Sequence, residues 1–140
     1  MWYWIKTPLL VKKIFHKQLW DIPSKDPVVY LTFDDGPNKV ITEKILAILK
    51  KSNIKATFFC IGKNVIKNPK EYQKIIDQGH SVGNHSMTHP MGWGKRKKMY
   101  LNDIADAEKL INSNLFRPPY GKINFKSNKT LQKKYKLKSI

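Results

Sequence analysis

Short apolar segments alternate with segments of helical spacing along most of this chain. Val28–Phe33 is β-branched and aromatic and Ala56–Ile61 is apolar, so both have the length and composition of buried strands. Shorter strands are predicted at Ser81–Asn84 and Leu115–Phe116. The apolar end of the chain, Leu137–Ile140, predicts the opening of a fifth strand.

The segments between these strands carry the signals of helices. Isoleucine and leucine recur at helical spacing over residues 41–49, and Pro69 is suited to begin a second helix that Gly79 would end. Further helices are predicted around residues 100–111 and 127–134. Strands that alternate with helices favour a parallel sheet with crossover helices, so the predicted fold class is α/β.

Length and composition indicate one folded domain. The chain has 140 residues, of which 41% are hydrophobic, and this is enough to bury a core. Its single cysteine, Cys60, excludes an internal disulfide. Because Cys60 lies inside an apolar run, it is predicted to be a small buried hydrophobic residue.

The formal net charge of +17 predicts a general attraction to anionic surfaces or polymers, including those of a cell envelope. Only two of the 27 basic residues, Arg96 and Arg117, are arginines. Specific readers of nucleic-acid sequence rely on arginine for bidentate contacts with bases, so no specific nucleic-acid partner is expected. A basic binder of nucleic acid or of a membrane surface remains an alternative.

Residues 1–27 form a basic and aromatic leader ahead of the predicted domain at residues 28–140. The leader is interrupted by Lys12 and Lys13, so it contains neither the apolar region of a signal peptide nor a membrane span. This predicts a cytoplasmic protein by default. Met1–Lys6, with two tryptophans, is expected to pack under the domain or to fray, and contact with a membrane interface is the alternative.

Polar clusters directly follow three of the predicted strands. Asp34 and Asp35 follow the first, His85 and His89 the third, and Arg117 the fourth. Because the carboxyl ends of parallel strands share one edge of a sheet, these residues are expected to meet. One or two carboxylates with two imidazoles form a ligand set for a divalent metal ion, and one helical turn would direct both imidazoles the same way.

Each cluster alone has an ordinary structural explanation. Asp-Asp-Gly-Pro at residues 34–37 is a common turn, two histidines four residues apart can be a surface pair, and residues 117–120 can be a loop. Together they match a known pattern. Residues 32–37, 85–89 and 117–121 resemble the first three motifs of the NodB-type polysaccharide deacetylases, a group of carbohydrate esterases.

The resemblance runs from about Val28 to the end of the chain and implies a distorted (β/α) barrel similar to a TIM barrel. This chain would supply about four strand–helix units and the start of a fifth strand. Asp34 is implied as the general base, Arg117 as the residue that orients it, and Tyr120 as the donor of a backbone N–H to an oxyanion hole. The implied ligands of one divalent metal ion, Zn²⁺ with Co²⁺, Ni²⁺ or Mn²⁺ as alternatives, are Asp35, His85 and His89.

The implied substrate is an N-acetylated polysaccharide or oligosaccharide, such as peptidoglycan or a chitin-like chain of N-acetylglucosamine. Hydrolysis of its acetamido groups would release acetate, and the cell envelope is the place of action that the resemblance implies. Trp93, in the loop after His89, could stack on a sugar ring, although a packed loop aromatic is an equal expectation.

The later motifs of the family are absent from this sequence, including a histidine that acts as general acid, since no histidine follows His89. Loss of a positioned acid is expected to slow hydrolysis by about 10²–10⁴-fold. The domain is therefore expected to be incomplete at its carboxyl end, as in a truncated gene, a split gene or an incomplete sequence. A non-catalytic remnant that binds a metal ion or a glycan is the alternative function.

Overall fold

The computed structural model describes residues 7–14, 16, 18–92 and 97–140. The strands in this part of the chain are β1 (Thr32–Gly36), β2 (Thr57–Cys60), β3 (Ser81–Asn84), β4 (Leu115–Phe116) and β5 (Lys138–Ser139). The helices are α1 (Leu9–Ile14), α2 (Ile41–Lys51), α3 (Gly62–Lys67), α4 (Pro69–Asp77), α5 (Lys97–Glu108) and α6 (Phe125–Lys134), with a 3-10 turn at Pro119–Gly121.

The five strands form one parallel sheet in the order β1-β2-β3-β4-β5. Helices lie between successive strands, which confirms the predicted α/β class. Neighbouring strands are also consecutive in the chain, which is the winding of a (β/α) barrel and not of a doubly wound sheet. The sheet is open in the described part of the chain, with β1 and β5 at its two edges.

The first strand was predicted four residues too early. It begins at Thr32, where pairing with Thr57 of β2 starts, while Val28 and Val29 are exposed ahead of it. An apolar pattern marks a segment that can be a strand, but the neighbouring strand decides where the ladder begins. Helix α3 was not predicted, because a helix of six residues is too short to show a periodic pattern.

Two hydrophobic clusters fill the space between the sheet and the helices. The first joins β2 to α2, α3 and α4 and is built around Leu46, Phe58 and Ile75. The second joins β4 and Leu137, the residue before β5, to α5 and α6. Helix α5 contributes Ala107 to the first cluster and Ile104 to the second, and both are completely buried. Helix α5 therefore packs against both clusters and connects the β2 side of the sheet to the β4 side.

Cys60 lies in the first cluster, where burial raises the pKa of its thiol to about 12. The thiolate form is therefore suppressed at neutral pH, as expected of a structural cysteine. In the part of the chain that the structure describes, no helix combines the length and the apolar character needed to cross a bilayer. The expectations for Met1–Lys6 concern residues outside the described part.

The opposite face of the sheet, which a closed barrel would enclose, is packed around Phe59. This side chain is fully buried, and a Cβ atom on Gly83 of β3 would lie 2.5 Å from its ring. The leader reaches the same face, since Leu19, Trp20 and Ile22 line a pocket together with Phe59. Glycine at position 83 therefore makes the room that Phe59 needs between two adjacent strands.

Replacement of Gly83 by alanine tests this packing. Gly83→Ala is expected to lower the free energy of unfolding by about 1–3 kcal/mol, because the added methyl group must displace a fully buried ring. Urea unfolding followed by circular dichroism measures the change. Gly36→Ala is the matched control, since its Cβ would meet only the Thr42 hydroxyl at 3.9 Å. Equal stability of Gly83→Ala and wild type would contradict the packing described here.

His80 gives the fold a pH dependence. Its Nδ1 accepts the Ala56 N–H over 3.3 Å, which requires a neutral ring, and burial, followed by the charge of Lys55, lowers the pKa of His80. A histidine with a lowered folded pKa stabilises the protein above its unfolded pKa of about 6.5, and this stabilisation is lost as the pH falls through the folded value.

Unfolding in urea at pH 7.5 and pH 5.5 tests this assignment. Wild type is expected to lose more stability on acidification than His80→Gln, whose amide oxygen can accept the same N–H without titrating. If both proteins lose stability equally, His80 does not carry the pH dependence.

Candidate metal centre and active site

The predicted site residues meet at the carboxyl edge of the sheet. Asp34 and Asp35 lie near the end of β1, His85 directly follows β3, and Arg117 directly follows β4. These residues, with His89, line one cleft of about 460 Å³. The location agrees with the general rule that sites in parallel α/β folds form where the strands end.

A break in the strand register separates the two aspartates. Asp34 pairs with Phe59 and Gly36 pairs with Cys60, so Asp35 is an extra residue in β1. Asp35 has a left-handed backbone with φ of 68°. Such bulges redirect the side chains around them. The two carboxylates consequently belong to one short strand but take different surroundings, with Asp34 against Arg117 and Asp35 against the histidines.

The histidines lie on a loop, so the suggestion of a helical turn is wrong. Residues 85–90 form no helix, and Ser86 and His89 have positive φ values of 69° and 57°. The two rings nevertheless approach each other, with 5.0 Å between their centroids. A strand end and a left-handed turn, rather than helical periodicity, direct both imidazoles toward the same point.

Three ligand atoms converge on that point. His85 Nε2 and His89 Nε2 lie 3.5 Å and 3.3 Å from Asp35 Oδ1, and all three donors are within 4.8 Å of one another. Ligand bonds of about 2.0–2.2 Å at tetrahedral angles place donor atoms about 3.3–3.6 Å apart. The group therefore could hold a divalent metal ion, and its donor types suit Zn²⁺ among others.

A hydrogen bond at Nδ1 of His85 leaves its Nε2 atom available to a metal ion. Nδ1 lies 2.7 Å from the Arg117 carbonyl oxygen, which can only accept, so Nδ1 carries the proton and Nε2 keeps its lone pair. Burial, the largest influence, lowers the pKa of His85, against the opposing effects of the Arg117 carbonyl and the two nearby aspartates. The neutral ring is thus the favoured form at neutral pH.

Arg117 also fixes Asp34. One of its terminal guanidinium nitrogens donates to Asp34 Oδ1 over 2.8 Å and to the Thr32 hydroxyl over 2.9 Å. The guanidinium carbon lies 4.1 Å from the centre of the Phe59 ring, a cation–π contact with a fully buried platform. Asp34 is held in one position while its side chain stays 37% exposed, so water can reach it.

Tyr120 lies beside the imidazoles, inside the 3-10 turn. Its ring packs edge-on against His89 with 4.6 Å between centroids, and its backbone is left-handed with φ of 58°. The residue lines the cleft together with Asp34 and Asp35. Its backbone contact with an oxyanion stays a prediction. Trp93, the predicted sugar-stacking residue, is outside the described residues.

Two asparagines that support the site were not predicted from the sequence. Asn64 of α3 donates to the Asp35 carbonyl over 2.7 Å and so supports the bulge. Asn84, which is fully buried, accepts the Ser86 N–H over 2.7 Å and donates to the Ile104 carbonyl over 3.0 Å. Asn84 ends a predicted strand and directly precedes a candidate ligand. An amide side chain at such a position, where burial requires hydrogen-bond partners, is a signal that could have identified it. Nothing in the sequence around Asn64 marks it.

The family model of the polysaccharide deacetylases, "Polysaccharide deacetylase", matches residues 21–139. This match covers most of the chain, and the chain therefore belongs to the polysaccharide deacetylase family. The resemblance inferred from three short motifs is confirmed.

Two of the similar proteins are peptidoglycan deacetylases of Bacillus species. A peptidoglycan-N-acetylglucosamine deacetylase of Bacillus cereus is 36% identical over 110 residues, which cover 75% of this chain and 52% of that protein. The peptidoglycan-N-acetylmuramic acid deacetylase PdaC of Bacillus subtilis is 42% identical over 103 residues, which cover 69% of this chain and 22% of that protein. The chain thus spans about half the length of the first relative and less of the second.

A crystal structure of a peptidoglycan N-acetylglucosamine deacetylase superimposes with a TM-score of 0.79 at 36% sequence identity. The superposition covers 84% of this chain and 57% of the crystallised one. The parallel sheet and its helices therefore match part of the distorted barrel of the family, as predicted for the fold.

Replacement of Arg117 by lysine tests the anchoring of the cleft. Arg117→Lys keeps the charge but loses the flat group that covers Phe59 and reaches Thr32 and Asp34 together. The free energy of unfolding is expected to fall by about 1–2 kcal/mol. Lys109→Met, which removes an exposed ion pair with Asp106, serves as control and should cost less than about 0.5 kcal/mol. Similar losses in both variants would count against the anchoring role.

Proposed function

We propose that this chain hydrolyses N-acetyl groups on an N-acetylated carbohydrate polymer, peptidoglycan or a chitin-like chain of N-acetylglucosamine. The observation that carries the proposal is the convergence of Asp35, His85 and His89 beside a carboxylate, Asp34, that is fixed by Arg117. Family membership and the substrates named for the two relatives support the same class of reaction.

The proposed metal ligands are Asp35, His85 and His89, with Zn²⁺ as the proposed ion and Co²⁺, Ni²⁺ or Mn²⁺ as alternatives. The separations of their donor atoms and the free Nε2 lone pair of His85 support this assignment. When bound, such an ion supplies Lewis acidity, which lowers the pKa of a water molecule and polarises an acetyl carbonyl.

In the proposed mechanism Asp34 is the general base. Its carboxylate takes a proton from the attacking water as the water oxygen bonds to the acetyl carbon. Arg117 keeps the acceptor oxygen in place, and the backbone N–H of Tyr120 is proposed to donate to the carbonyl oxygen as negative charge develops there. The bond between the acetyl carbon and the sugar nitrogen then breaks, the nitrogen takes up the proton that Asp34 had accepted, and the products are acetate and a sugar amine.

A second candidate is binding without turnover. Among the residues that line the cleft, the only histidines are the two proposed ligands, His85 and His89, and neither is free to act as an acid. An amine is a poor leaving group unless it is protonated, so this cleft composition favours slow hydrolysis or binding of a metal ion and glycan alone.

Release of acetate from an N-acetylglucosamine pentamer, measured by an enzyme-coupled assay in the presence of Zn²⁺, tests the proposal. Acetate release is expected to stop with a chelator and to return with added Zn²⁺. Asp34→Asn is expected to reduce the rate by at least about 10²-fold while it leaves zinc binding intact, because it removes only the base.

Asp77→Asn is the matched control, since this aspartate is exposed at the end of α4, away from the carboxyl edge of the sheet. Acetate release that survives both the chelator and Asp34→Asn would refute the assigned roles. Stoichiometric zinc binding by calorimetry without acetate release would instead establish the second candidate.

A further inference from the structure

The middle of the histidine loop is held by one carboxylate from another element. Asp103 of α5 accepts the Met87 and Thr88 N–H groups at Oδ1, over 2.8 Å and 3.1 Å. Its Oδ2 accepts the Thr88 hydroxyl over 2.5 Å. All three donors belong to the segment that joins His85 to His89.

The opposite side of the same loop is held by α3. The backbone N–H groups of Gly62 and Lys63 donate to the Ser86 and Met87 carbonyls over 2.9 Å and 3.0 Å. These bonds come from main chain, so no side chain determines them. The loop is therefore clamped between two helices, and Asp103 is the side chain that holds its N–H groups from the α5 side.

Helix α5 is a firm support for this carboxylate. Ile104 and Ala107, on the same helix, are completely buried, one in each hydrophobic cluster. The Ile104 carbonyl also accepts a hydrogen bond from buried Asn84, the residue before His85. Because Asp103 belongs to this well-packed helix, its carboxylate holds the loop in a fixed position relative to α5.

The loop needs such support because its backbone is unusual. Ser86 and His89 are both left-handed, a conformation that residues other than glycine rarely adopt unless their surroundings impose it. The Nε2 atoms of His85 and His89 meet Asp35 only while this path is kept. A change of path between the histidines would separate the donor atoms.

We propose that Asp103 is a positioning residue of the metal centre, whose carboxylate holds residues 87 and 88 and thereby sets the spacing of the two imidazole donors. The inference rests on the proposed function, because it concerns the same site. It predicts that Asp103 controls metal affinity although it is not itself among the three converging ligand residues.

Zinc affinity of the whole chain, measured by competition with a chromogenic chelator, tests this role. Asp103→Ala is expected to weaken zinc binding at least tenfold, in the range found for residues that orient metal ligands. Asp103→Asn should recover part of the affinity, since its amide oxygen can still accept the two backbone N–H groups. Asp106→Ala, on the same helix but in an exposed pair with Lys109, should leave affinity within twofold.

Urea unfolding of the metal-free proteins separates positioning from folding, because affinities are compared only where each variant is fully folded. Unchanged affinity of a folded Asp103→Ala, beside a wild type that binds zinc and a His85→Ala that does not, overturns this inference alone. A wild type that binds no zinc overturns the inference and the proposed function together. A graded loss from Asp103→Asn to Asp103→Ala supports it.

Discussion

The site depends on one residue, Arg117, whose side chain and backbone serve different partners. The guanidinium group joins Thr32 and Asp34 of β1 and covers Phe59 of β2. The carbonyl fixes the tautomer of His85, which follows β3. A single residue directly after β4 therefore couples the proposed base to a proposed metal ligand across four strands. Because it lies on a buried ring, its position is set by packing as well as by charge.

Part of this site could be predicted from sequence because several of its residues directly follow strands that the sequence pattern predicts. The short strands, the helical spacing between them and the polar residues after them place Asp34, His85 and Arg117 at one edge. The bulge at Asp35 could not be foreseen, since it is defined only by pairing with β2. The backbone conformation between His85 and His89 could not be predicted either. It depends on contacts with α3 and α5, which are distant from this loop in the sequence.

The molecule as a whole is strongly basic, whereas two carboxylates lie together in its cleft. A net charge of +17 repels cations and attracts polyanions at long range, but this effect is screened beyond about 8 Å at physiological salt. Among the described residues that line the cleft, Asp34 and Asp35 lie with one basic residue, Arg117. Short-range attraction to a cation is therefore preserved at the site, while the lysine-rich surface governs encounters with large anionic polymers.

Four positions around the cleft, Asp35, Ser86, His89 and Tyr120, adopt left-handed backbone conformations without being glycine. Each such residue costs on the order of 1 kcal/mol relative to a relaxed backbone. Glycine would relieve that cost at every one of them but would remove a candidate ligand at two. At Asp35 and His89, therefore, the stability that glycine would add and the retention of a candidate ligand exclude one another.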